Sequence, residues 1–163
     1  MAKKLLNACN CLTCASFILA LVFVILYGVN VGSAGYFQGR GADGVVLFSI
    51  LVMVFDLLII GRSFVKVEGT VAKCVDVAVM ALKVVVPVLL MIAALNLLGT
   101  RIEGIGYIFF SNADVAKEVA TPANVASGTL AIVTVVFGIV TAVISIVAAF
   151  FLPKEQPVEE QAQ

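Results

Sequence analysis

Asp56 and Lys83 are the residues of this chain best placed to do chemistry, because each interrupts otherwise apolar sequence. An isolated charge at the centre of a bilayer costs about 2.5–3.5 kcal/mol on insertion scales, so a charge kept there needs a partner or a task. Asp56 lies six residues before Arg62, and Lys83 lies ten residues after Lys73. At about 1.5 Å rise per residue, both sit roughly 9–15 Å in from the loop that joins their segments. Antiparallel packing would bring them to similar depth as a buried charge pair. Two roles fit. One is a relay for protons or ions, or a buried site for a polar substrate. The other is a salt bridge that fixes helix register, with Lys83 snorkelling. Their place in one half of the bilayer, away from the midplane, favours the salt bridge. A transporter would show repeated halves or several polar residues at mid-depth. Pro87 cannot donate to the carbonyl of Lys83, so a kink is expected beside this lysine. Asn96, further along the same segment, completes the buried polar set and could serve another helix's backbone.

The cysteines are the second candidate. Cys9, Cys11 and Cys14 form C-x-C-x2-C, and Cys74 falls on the same expected face of the membrane. Four thiolates could hold zinc or an iron–sulfur cluster. The spacing matches no strong ligand pattern, and small thiols are common fillers in apolar chains. Acylation or redox sensing is a further option. Structural disulfides are not expected on a reducing face. The chain has no His, which removes the commonest metal ligand and general base. No nucleophile–base pair is visible, and Glu103, Asp114 and Glu118 do not converge. The expectation is therefore no enzyme and no cofactor.

The elements that position these residues follow from composition. Of 163 residues, 63% are hydrophobic, and mean hydropathy is +1.19. A soluble domain has about 45–50% apolar residues. Roughly 20 consecutive apolar residues cross the hydrocarbon core as a helix, and four such blocks occur, near 12–33, 44–61, 75–98 and 123–152. The expected fold is an all-α integral membrane protein. It is a four-transmembrane-helix antiparallel bundle forming one domain, 1–152, with a disordered cytoplasmic tail at 153–163. Net charge is zero, with no basic stripe, so nucleic acid is not an expected partner. The bilayer is the expected environment, with another membrane protein or self-association as partner.

Loop charges set the orientation. Lys3, Lys4, Arg62, Lys66, Lys73 and Lys154 outnumber Arg40, Arg101 and Lys117, which places both termini in the cytoplasm. A cleaved signal peptide ending near Gly32-Ser33-Ala34 is the rival reading. The run from Ala15 to Val31 is longer than the usual h-region of about 7–15 residues. Asp43 is the expected N-cap of the second span and Gly99 the expected C-cap of the third. Thr121-Pro122 is a helix-start pattern for the fourth. Between them, Thr100–Thr121 reads as an outer loop containing a short interfacial helix near 112–120. Tyr27, Tyr36, Phe37, Tyr107, Phe109 and Phe110 are available as an interfacial aromatic belt.

The fourth span carries a stripe of small residues. Ser127, Ala131, Thr134, Gly138, Thr141, Ser145 and Ala148 alternate spacings of four and three, so they share one helix face. In lipid, small residues let backbones approach and hydroxyls can bond across helices. The stripe is a packing face, expected to be used within the chain. In general layout the chain resembles the many small four-helix proteins of bacterial inner membranes. That resemblance implies an inner (plasma) membrane location and carries no site. The leading functional expectation is a non-catalytic accessory or scaffold subunit or a homo-oligomer. A small transporter or channel using Asp56, Lys83 and Asn96, or a metal or redox site on the cysteines, are the alternatives.

Overall fold

A computed structural model of the chain describes residues 8–65 and 69–151, with side chains from residue 10 onward. Lys3, Lys4, Lys66, Glu68 and the expected tail at 153–163 lie outside the described residues. Those described form α1 (Ala8–Gly32), α2 (Val45–Arg62), α3 (Gly69–Phe110), α4 (Ala113–Val119) and α5 (Pro122–Phe150). All but the short α4 are long and apolar enough to cross a membrane. Helix α1 packs on α2 and α5, and α3 packs on α2 and α5, which closes an antiparallel ring of four. The chain is an all-α, four-helix membrane bundle.

Burial is inverted relative to a water-soluble bundle. Ile18, Ile25, Leu47, Leu57, Val84 and Val136 are exposed, whereas Ser16, Asn30, Ser49, Asp56, Lys83, Arg101, Thr134 and Thr141 are buried. Lipid is as apolar as leucine, so nothing drives leucine inward. Polar groups gain by turning toward each other and away from hydrocarbon. The ends of the bundle are marked by polar contacts of α3 with α2 and with the loop that precedes it. At the near end, where α1 begins, Arg62 pairs with Asp76 at 2.9 Å. At the far end the Asn96 side chain donates to the Asp43 carbonyl at 3.4 Å. The twenty residues of α3 between Asp76 and Asn96 measure about 30 Å, the thickness of a hydrocarbon core.

Helix α3 does not stop where the sequence suggests. It starts earlier than the expected span of 75–98 and runs for 42 residues, about 63 Å, passing through both Pro87 and Gly99. Its last turns, from Leu97 to Phe110, project roughly 20 Å past Asn96. The first part of the expected outer loop, from Thr100 to Phe110, is therefore helix. The reason is that the buried stripe Leu90, Ala93, Ala94, Leu97 continues in register through Arg101, Gly104 and Ile108, which pack on the rest of the fold. Gly99 is exposed and lacks the positive φ of a C-cap glycine, and a Cβ there would meet nothing within 4 Å. Gly99→Ala should therefore stabilise the protein by about 0.5–1 kcal/mol through helix propensity. A lower melting temperature for this variant in detergent would show instead that the helix ends there.

The other helix ends follow local chemistry. Thr121 caps α5 as expected, accepting from the Asn124 amide at 3.3 Å, with Pro122 in the first turn. Asn112 caps α4 in the same way through the Val115 amide, at 3.0 Å. The assignment of Asp43 as cap of α2 is corrected. The cap position is Gly44, in the left-handed region at φ 78°, with no side-chain cap bond. Glycine reaches this conformation without strain, so the chain turns into the helix there.

Candidate functional site

Asp56 and Lys83 line one cavity at the near end of the bundle. All four spanning helices converge on it, and its volume is about 10 Å³. It is lined by Thr13 and Ser16 of α1, Asp56 and Ile59 of α2, Lys83 and Val86 of α3, and Ser145 and Ala148 of α5. Asp56 is 2% exposed and Lys83 6%. No ion pair within 4.0 Å joins them, however. The expected salt bridge is thus corrected to a shared cavity. Lys83 Nζ turns instead to the carbonyl of Phe151, which it reaches at 2.8 Å. Phe151 is the C-cap of α5. The C-terminus of a helix carries partial negative charge, so the ammonium is compensated there. Ser16 faces Asp56 across the cavity, and Asp56 Oδ2 and Ser16 Oγ are buried with no hydrogen bond within 3.5 Å among the described residues.

Pro87 lies in the same stretch of α3, buried one turn beyond Lys83, and supplies no amide to the Lys83 carbonyl. Asn96 is not part of the cavity. It is exposed at the far end and serves the backbone of the loop before α2, the role its amide suggested. The expected buried polar set is thus corrected: Asp56 and Lys83 line the cavity, and Asn96 is exposed at the other end of the bundle.

The small stripe is buried along its whole length, from Ser127 through Ala131, Thr134, Gly138, Thr141 and Ser145 to Ala148. It packs within the chain. Its mechanism is volume more than hydrogen bonding. Thr134 donates to the Leu130 carbonyl at 2.7 Å and Thr141 to the Phe137 carbonyl at 2.8 Å, each within α5 itself. Such bonds back to the preceding turn satisfy the hydroxyl locally. Ser127 is the stripe residue that reaches outward: its hydroxyl accepts from the Phe37 amide at 3.3 Å. Its carbonyl accepts from the Asn30 side chain at 2.9 Å. At Gly138 the backbone comes so near Phe23 that an added Cβ would stand 2.6 Å from the ring.

The far end holds a second polar cluster that the sequence did not reveal. Arg101 is fully buried on α3. Its Nη2 donates to the Arg40 carbonyl at 2.7 Å, and its guanidinium lies 4.6 Å from the centre of the Phe37 ring. Phe37 meets Tyr36 edge to face at 5.2 Å, and Arg40 lies over Tyr36 at 4.3 Å. Tyr27 hydrogen-bonds the backbone of Ala42, its hydroxyl accepting from the amide at 2.6 Å. These contacts bind the loop between α1 and α2 onto α3. Tyr27 and Phe37 are accordingly core residues, which removes them from the expected aromatic belt, whereas Tyr107, Phe109 and Phe110 are exposed.

Among the described residues the cysteines form neither a disulfide nor a metal-binding group. Cys11 and Cys74 are exposed and Cys14 is half-buried, all as free thiols. The side chain of Cys9 lies outside the described residues. Among the described residues, no three His, Cys, Asp or Glu side chains gather in a group that could hold a metal. Asp76, absent from the sequence-based candidates, takes its place as partner of Arg62, which also donates to the Val65 carbonyl at 2.9 Å.

Fold and site together define a membrane-embedded helical bundle with buried polar contacts at both ends. No protein-family model matches the chain, and neither the curated proteins nor the solved structures gave a match.

Proposed function

We propose that this is a non-catalytic integral membrane protein, an accessory or scaffold subunit or a homo-oligomer of the plasma membrane of a bacterium. Both termini and the near end of the bundle face the cytoplasm in this reading, as the lysine and arginine asymmetry requires. One observation carries it: three of the buried polar side chains hold parts of the fold together. Lys83 binds the end of α5, Arg101 holds the first loop, and Asn30 grips the start of α5. The space beside Asp56 has room for about one water molecule, far too little for an organic substrate.

Purification from the native membrane in a gentle detergent tests the proposal, with partners identified and complex mass measured. The expected result is a stoichiometric second membrane protein or a defined homo-oligomer. A monomer that carries solutes across reconstituted vesicles would overturn it in favour of transport. The transport reading rests on the buried carboxylate of Asp56. It requires water to reach that residue, so a cysteine placed beside position 56 would react with a soluble thiol reagent.

A further inference from the structure

We propose that the groove between the end of α3 and α4 binds an organic ammonium ion that carries an apolar body. This goes beyond the scaffold reading and does not depend on it. The groove opens to the surface and has a volume of about 400 Å³, within the range of about 300–1,000 Å³ that small-molecule sites occupy. Glu103, Tyr107 and Phe110 lie four and three residues apart, so α3 presents them on one face. The turn at Ser111 and Asn112 brings Val115 of α4 in as the other wall.

Three observations select the ligand. The side chain of Glu103 is exposed, and among the described residues no Lys or Arg comes within 4.0 Å of its carboxylate, the ion pairs there being Arg62–Asp76 and Lys117–Asp114. A cation is therefore favoured over an anion. Tyr107 and Phe110 are 47% and 82% exposed, and aromatic faces attract a cation through their quadrupole. A hard metal ion fills its shell with about six or more oxygens, whereas this groove offers one carboxylate between apolar walls, so the cation that fits is organic. Ser111 Oγ is buried with no hydrogen bond within 3.5 Å among the described residues, which leaves a fixed partner for a polar group of the ligand. Position limits the source. Glu103 lies seven residues past Asn96, about 10 Å beyond the hydrocarbon, and helix side chains lean toward the N-terminus of their helix, here back toward the bilayer. The ammonium of a phospholipid headgroup and that of a soluble amine can both reach it. Phe110 stands about 20 Å beyond the hydrocarbon, too far for acyl chains to cover it.

The test is thermal unfolding of the full-length protein in detergent, titrated with phenethylammonium chloride against sodium chloride at constant ionic strength. A ligand that binds only the folded state raises the melting temperature in a saturable way. Such a rise is expected, and the neutral analogue 2-phenylethanol should need at least about a ten-fold higher concentration. Glu103→Gln should raise the half-saturating ammonium concentration at least about ten-fold, and Tyr107→Ala about three-fold. Both side chains are exposed, so these changes leave the core intact. Glu118→Gln, which removes a carboxylate of α4 outside the groove, should leave the response unchanged. Adding phosphatidylethanolamine to the micelles separates the sources. A headgroup occupant stabilises wild type more than Glu103→Gln and competes with phenethylammonium; a soluble amine is the occupant if the lipid does neither and phenethylammonium still binds. Absence of a saturable rise with both amine and lipid would overturn the proposal. So would a Glu103→Gln protein with the wild-type half-saturating concentration.

Discussion

Gly138→Leu is expected to lower the stability of the bundle by about 3 kcal/mol, a fall of about 6–12 °C in melting temperature for a chain of this size. The helix α5 approaches α1 at this point with no side chain between the backbone and Phe23. A Cβ at position 138 would lie 2.6 Å from Phe23 Cε2 and 3.1 Å from two further ring atoms. Phe23 is fully buried, so its ring has little room to retreat. Leucine must therefore push the helices apart, and the neighbouring stripe contacts at Thr134 and Thr141 loosen with it. Alanine brings the same first clash but gains helix propensity, so its net cost should be nearer 1 kcal/mol. Removing the opposing ring should restore part of the loss. Gly138→Leu combined with Phe23→Ala should melt above the value that the two single changes predict when added, because residues in contact couple. A Gly138→Leu protein with wild-type melting would mean that α5 does not use this face against α1.

Arg101→Ala is the second large effect, expected at roughly 3–5 kcal/mol from the void and the lost charged hydrogen bond together. The side chain fills space between α3 and the loop at 33–44, where it holds the Arg40 carbonyl and the Phe37 ring. Arg101→Met separates the two contributions. Methionine keeps most of the apolar contact and removes both the bond and the cost of burying the guanidinium, so its loss should be smaller, roughly 1–2 kcal/mol. The local consequence is detachment of the loop. Ala42 is 7% exposed beneath it and is held by Tyr27. With the native cysteines replaced by serine, Ala42→Cys should resist a soluble thiol reagent when Arg101 is present and react readily in the Arg101→Ala background. Equal labelling in both would show that Arg101 does not hold the loop.

Several of these features are legible in the amino-acid sequence. The stripe from Ser127 to Ala148 reads directly as a helix face, because three-and-four spacing is a local property of α-helical geometry. Thr121-Pro122 announces the start of α5, since the cap and the missing amide act within one turn. Asp56 and Lys83 are legible as interior residues because a charge within an apolar run can only be buried or snorkelled. Their partners are not legible. Lys83 meets the carbonyl of Phe151, sixty-eight positions away, in place of the carboxylate at equal depth. Arg101 reads as a loop charge because it follows Gly99-Thr100, a sequence typical of a helix end. The overlooked signal is the periodic stripe Leu90, Ala93, Leu97, Arg101, Gly104 and Ile108, which runs straight through that apparent end.

The sequence by itself determined that this protein lives in a bilayer as four helices with a small-residue seam. Each of these depends on quantities summed over neighbouring residues, namely apolar length and helical period. Only the tertiary structure decided that α3 runs on past Gly99, that the first loop is pinned by Arg101, and that four helices leave a water-sized space beside Asp56. Those outcomes depend on which turn of one helix faces which turn of another. In lipid, that choice is made by the few buried polar groups and small residues that find complementary partners across the bundle.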